Sequence, residues 1–202
     1  MTKFTFAQRE EGFDNHIEHS IRGYTNLWND VLKYSEYFVE DDTNIVDIGC
    51  STGKLQKAMI LQNILAPRAN YIGIEVEEDF FGSYDADEKS YTNLSYHRGD
   101  VRGFEFQNCS LITSIFTLQF IQEKERTSII KQIYDGLNPG GAFIFAEKTI
   151  AECPKIHDIR TFTYYDYKRE HFTSDDILNK EKQLRHMMKL NTRKERSEEH
   201  NV

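Results

Sequence analysis

The run Asp47-Ile48-Gly49-Cys50-Ser51-Thr52-Gly53 sets an acid, two glycines and two hydroxyls at one point of the chain. There the short β-branched stretch Asn44 to Ile48 gives way to a helical pattern carrying Leu55, Met59, Ile60 and Ile64. At such a strand-to-helix turn Gly49 and Gly53 let the backbone approach a ligand without a Cβ in the way, and amides at the helix start receive a carboxylate or phosphate. Glu75, at the end of the next apolar run and 26 residues past Gly49, is placed to accept both hydroxyls of a ribose, with Val76 beside it. Asp100, in RGDVRG after the third run, is placed to meet an adenine amino group while Val101 packs on the ring. Each acid alone is an ordinary surface residue and each glycine an ordinary turn glycine. Three acids at successive strand ends point instead to an adenosyl ligand. Dinucleotide sites carry GxGxxG, whereas Cys50-Ser51-Thr52 fills the middle of this turn, so the set favours S-adenosylmethionine over a dinucleotide.

These residues need a scaffold, and the hydrophobic pattern supplies one. Helical spacing runs from Tyr24 to Phe38 and again from Glu123 to Leu137, where Asn138-Pro139-Gly140-Gly141 stops it. Strands are expected at Tyr71 to Val76, Leu94 to His97, Ser110 to Phe116 and Ala142 to Ala146, in addition to Asn44 to Ile48. The alternation implies an α/β fold, a Rossmann-like, mostly parallel sheet with helices on both faces. Beyond Pro154 two helices are expected to cover the site, the second capped by Thr173 or Ser174, with Asp175 and Asp176 at its positive end. We expect one domain over residues 1–190 and a polar, charged tail over 191–202, fraying or extending the last helix.

With 202 residues, 39% of them hydrophobic, the chain holds one core. A net charge of −8 disfavours a broad nucleic-acid-binding face, so contact with tRNA is expected to be indirect or weak. Cys50, Cys109 and Cys153 are read as small buried thiols, which suits the cytoplasm. His16, His19 and His157 lack ligand spacing and no metal is expected. The N-terminal residues carry no signal-peptide core, and no run approaches the roughly 18 apolar residues of a membrane span.

Several stretches together resemble the carboxy-S-adenosylmethionine synthases of the class I methyltransferase superfamily. They are SIRGYTN from Ser20, VDIGCSTG from Val46, GDVRG from Gly99, FTLQFI from Phe116 and IYDGLNPGGAFIFAEK from Ile133. The resemblance spans Phe13 to Met188. It implies that Tyr24 meets the amino-acid end of S-adenosylmethionine, or of its carboxylated derivative. It further places Gly49, Cys50 and Ser51 at the cradle, Glu75 and Val76 at the ribose, and Asp100 and Val101 at the adenine. The family also uses an asparagine just before FTLQF, where this chain has Ile115, and a carboxylate-binding arginine, where it has Glu181. An acid at that place repels a carboxylate, although Lys180, Lys182 or Arg185 could be brought into the role.

We therefore expect a methyltransferase-type enzyme acting on a small-molecule or tRNA-linked acceptor. Tyr24, Gln119, Lys148, Tyr164, Tyr165 and Arg169 are candidates for lining its acceptor side. The alternatives are carboxyl transfer from prephenate and a non-catalytic cofactor-binding subunit. The family commonly ends in a strand hairpin added to the sheet, and no such pattern follows Met188. The bare edge is expected to be covered by a helix from Asp175 to Leu190 or by a second subunit, and the resemblance likewise suggests a homodimer.

Overall fold

The computed structural model describes residues 12–199. The signal-peptide reading of the first eleven residues and the last three residues of the expected tail lie outside them. Helices α1 (Phe13–Ser20) and α2 (Tyr24–Phe38) lead into β1 (Asn44–Ile48) and α3 (Lys54–Gln62). Next come β2 (Asn70–Glu75), α4 (Tyr84–Ser90), β3 (Leu94–Arg98), β4 (Cys109–Ile115), α5 (Glu123–Gly136) and β5 (Leu137–Ala146). Helices α6 (Pro154–Arg169), α7 (Ser174–Met187) and α8 (Arg193–Glu199) follow.

The five strands pair in the order β3-β2-β1-β4-β5, all parallel. The chain leaves β1 toward β2 on one side and later returns to β4 on the other. The crevice where ligands settle in such sheets therefore opens at the carboxyl ends of β1 and β4. Two apolar clusters flank the sheet, one containing Val31, Met59, Tyr71, Tyr84 and Leu111, the other Val46, Ile48, Ile74, Ile112, Leu118 and Ile133. β4 is buried along nearly its whole length, as a central parallel strand covered on both faces must be.

The expected strands and long helices are all present, with bounds shifted by a residue or so at most ends. β5 departs furthest, because pairing with β4 begins at Leu137 and absorbs the Asn-Pro-Gly-Gly turn through a register shift near Cys109. Phe116 leaves the end of β4, having turned to φ 59°. Thr173 is the cap of α7: its hydroxyl accepts the Asp176 amide at 3.2 Å. Thr173→Ala should cost about 1 kcal/mol, readable as a lower midpoint in urea unfolding.

Three expectations are corrected. Cys153 is exposed, because it stands just before Pro154 at the start of α6. Helix α7 is not the main cover of the sheet edge: it packs chiefly on α6, while β5 packs chiefly on α2 and α5. Residues 191–199 do not extend α7, which stops at Met187. They form the separate short α8, and its Arg196, 4% exposed, pairs with Glu147 just beyond β5.

Candidate functional site

The turn after β1 is built from backbone. The Gly49 and Cys50 amides both donate to the Ile74 carbonyl, at 2.8 and 3.1 Å, and the Gly53 amide donates to the Cys50 carbonyl. Those amides are thus committed to the sheet and turn, and do not face a ligand as the glycine pattern suggested. Gly49 has φ 77°, and a Cβ on it would lie 2.1 Å from Thr117 Oγ1, so the glycine serves the close approach of the β1 and β4 exits. Gly49→Ala should lower stability by about 2–3 kcal/mol, and removing the Thr117 hydroxyl in the same chain should return part of it, as a thermal double-mutant cycle would show.

Ser51 follows at φ 47°, a left-handed conformation that non-glycine residues adopt at a cost. It is held there from two sides, one of them braced in turn. Its amide donates to Glu75 Oε2 at 2.9 Å, its carbonyl accepts the Tyr84 hydroxyl, and Tyr84 stacks flat on Tyr96 with centroids 3.7 Å apart. Next to it, Lys57 Nζ donates to the Thr52 carbonyl and to Asp87, while Thr52 Oγ1 donates to Asp14 on α1. Tyr84, Tyr96, Asp87 and Asp14 were not foreseen as supports of the turn, since none is near it in sequence, and Lys57, five residues past Thr52, gave no sign of turning back to it. Tyr84→Phe should cost about 1 kcal/mol and loosen the turn, visible as faster amide exchange at Ser51 and Thr52.

The cradle residues otherwise stand as follows. Asp47 is the penultimate residue of β1, 4% exposed; Thr113 Oγ1 donates to its Oδ1 at 2.7 Å and, among the described residues, its other oxygen makes no hydrogen bond. Burial lifts its pKa to about 7, with Glu75 adding to the rise and Thr113 opposing it. Glu75, 8% exposed, points its carboxylate into backbone: Oε1 accepts Val76 and Glu77, Oε2 accepts Ser51, each at 2.9 Å. A carboxylate offers about four lone-pair positions. One acceptor position is therefore left, room for one ribose hydroxyl where the strand-end spacing suggested two. Cys50 buries its thiol against the Tyr84 hydroxyl at 3.4 Å, and burial pushes that thiol far above its usual pKa.

Val76 stands exposed at the rim. Asp100 is tied to Arg102 through its side chain and amide, which holds its carboxyl below the usual range, and Arg102 also meets Glu125. Val101 is 6% exposed and packs in the second cluster, leaving little of it open to a ring. Ile115 ends β4, half-buried against the first cluster.

Tyr24 stacks loosely on Phe116, centroids 6.5 Å apart. Its phenol is pushed well above its usual pKa by burial, then by Asp14, Asp47 and Glu18. Asp14 is engaged by Thr52 and Glu18 by Lys54, so the charge left open beside these two rings is that of Asp47. Such a place receives a cation, through ring faces and an ionised acid with an open oxygen. The amino acid of S-adenosylmethionine carries an ammonium and its sulfur a positive charge, so the residues fit that cofactor.

On the far side α1, α6 and α7 meet. The Tyr164 hydroxyl donates to the Ser20 carbonyl, Tyr167 donates to Glu18, and Lys148 lies 3.8 Å from Glu181. Gln119, 5% exposed, accepts the Lys148 amide. Arg169 points outward to Asp166 and does not join this cluster, while Lys182 and Arg185 are exposed and Lys180 pairs with His16. Among the described residues no three His, Cys, Asp or Glu side chains gather to hold a metal, and no helix is long and apolar enough to cross a membrane.

Residues 45–141 match the family model described as a methyltransferase domain. A carboxy-S-adenosyl-L-methionine synthase of Staphylococcus epidermidis is 38% identical over 95% of this chain and 83% of its own length. The chain belongs to the carboxy-S-adenosyl-L-methionine synthase family. A family member from Shewanella baltica is 32% identical over 95% of this chain and 81% of its own. Among solved structures, the YcgJ protein of Bacillus subtilis superposes with a TM-score of 0.59 at 16% identity, covering 87% of this chain and 66% of that one. Human N-acetylserotonin methyltransferase, solved in complex with SAM, gives 0.51 at 13%, covering 86% and 44%. Such distant likenesses establish the fold, and membership in the family makes this an S-adenosylmethionine-dependent enzyme of the methyltransferase type.

Proposed function

We propose that the enzyme transfers the methyl group of S-adenosylmethionine to a small molecule or a tRNA-linked group. The observation that carries this reading is Glu181: its carboxylate stands 3.8 Å from Lys148 at the end of the crevice opposite the adenine side. With Glu181 where the family places a carboxylate-binding arginine, the planar fork that pairs with a carboxylated cofactor in two hydrogen bonds is missing. The bound cofactor supplies a methyl group on a cationic sulfur, so the protein's task is alignment and exclusion of water. In this reading ionised Asp47 holds the ammonium, Glu75 takes one ribose hydroxyl, Tyr24 and Phe116 line the sulfonium side, and Asp100 and Val101 mark the adenine side. Helices α1, α6 and α7 close over the acceptor. Incubation with methyl-labelled cofactor and undermodified tRNA or a small-molecule extract should leave label on an acceptor; label retained on the cofactor alone would overturn the reading.

One observation favours a second reading, carboxyl transfer from prephenate: identity of 38% across 95% of the chain to a relative named for making carboxy-S-adenosylmethionine. Mass spectrometry of the ligand that co-purifies separates the two, since the carboxylated cofactor and the parent differ in mass. We further propose that the enzyme works in the cytoplasm as a homodimer and meets tRNA only weakly or indirectly. The half-open β5 and the exposed Ile156, Ile159 and Phe162 of α6 support the dimer, for which light scattering is the test.

A further inference from the structure

Lys168, on the last turn of α6, is 5% exposed, and among the described residues its ammonium makes no hydrogen bond or ion pair. It lies 4.6 Å over the ring of Tyr164, and Lys148 approaches the same ring at 5.7 Å. Two cations beside one ring repel each other. Glu181 balances one of them, through its contact with Lys148, and one positive charge remains in a nearly closed space. An ammonium left with three unused donors there is costly unless something negative completes it. Burial, and next the neighbouring Lys148, press the Lys168 pKa down to about 8, with Glu181 opposing.

The place is built rather than accidental. Tyr164 is fixed by its hydrogen bond to the Ser20 carbonyl on α1, and Lys148 by the hydrogen bond its backbone amide donates to Gln119 Oε1 on the loop after β4. That loop carries Thr117, which abuts Gly49 of the cradle. The lysine pair is therefore joined to the cofactor turn by a short run of contacts. We propose that Lys168 and Lys148, both against the ring of Tyr164, form an oxyanion site that holds a carboxylate or phosphate group of the acceptor. This rests on the reading of that end of the crevice as the acceptor side. Unlike a guanidinium, the two ammoniums converge as point charges, which suits a compact oxyanion bound from two directions.

The test is calorimetric titration of the full chain with inorganic phosphate and, separately, with benzoate, each with and without S-adenosylhomocysteine. At least one anion should bind, the tighter of the two naming the group. Lys168→Met should weaken it by about tenfold or more, and Lys168→Arg, which keeps the charge, should restore most of the affinity. Binding of neither anion, or equal binding to the wild type and Lys168→Met, overturns the site. Anion binding that is indifferent to S-adenosylhomocysteine overturns its link to the acceptor. Anion binding in a protein that ignores S-adenosylhomocysteine overturns the proposed function while leaving the site in place.

Discussion

Asp47→Asn should weaken S-adenosylmethionine binding by about a hundredfold at pH 8, roughly 3 kcal/mol, and by almost nothing at pH 5. The side chain is nearly isosteric and still accepts from Thr113, so the change removes a charge and little else. In the ligand-free protein the carboxyl titrates near pH 7, because burial disfavours its ionised form. Only the ionised form meets a cation. Wild-type affinity should accordingly rise about tenfold per pH unit up to 7 and flatten above it, and binding near neutrality should release a proton. Stability runs the other way. The folded pKa lies above the unfolded value of about 3.9, so the contribution of this group is complete below pH 4 and is lost as pH rises through 7. Asp47→Asn should therefore melt higher than wild type at pH 8 and alike at pH 4. Calorimetry in two buffers of different protonation enthalpy, with a melting series across pH, measures both; an affinity independent of pH in the wild type would remove the ammonium from Asp47.

Arg196→Met should destabilise the fold by about 3–5 kcal/mol at neutral pH, the cost of leaving a buried acid without its counterion. The two side chains are 5% and 1% exposed, and they join α8 to the segment after β5. Replacing both Glu147 and Arg196 by apolar residues should cost far less than the single change, since desolvation of two charges disappears along with their attraction. The single variant should also recover as pH falls and Glu147 takes a proton. Urea unfolding of the single and double variants decides it, and a single variant within about 0.5 kcal/mol of wild type would mean that the pair contributes nothing to the fold.

This pair also marks where the sequence stopped being legible. The parallel sheet and its order of elements followed from local pattern, since Val46, Ile48, Ile74 and Ile112 sit in runs that only a doubly covered strand accommodates. The turn at Asp47 to Gly53 was legible for the same reason, lying at a change of period. Arg196 looked like solvated charge, because its partner is 49 residues away in a segment whose own pattern says nothing of it. Glu75 was found but its orientation was not: spacing places an acid at a strand end, whereas three backbone amides decide which way its oxygens face. Arg169 failed as a candidate because Asp166, three residues back on the same helix, holds it outward. Lys168, its neighbour, turned inward without any signal beyond a lone cation in an aromatic stretch.

Ser51 and Phe116, at φ 47° and 59°, sit at the exits of two adjacent strands in a conformation that glycine would take without effort. Glycine at Ser51 should make the protein more robust to heat and poorer at gripping its cofactor, because the tension that fixes the turn before the ligand arrives would be released, whereas at Phe116 it would also remove the ring stacked on Tyr24. The two positions therefore set a limit on how far thermal tolerance can be raised before turnover declines.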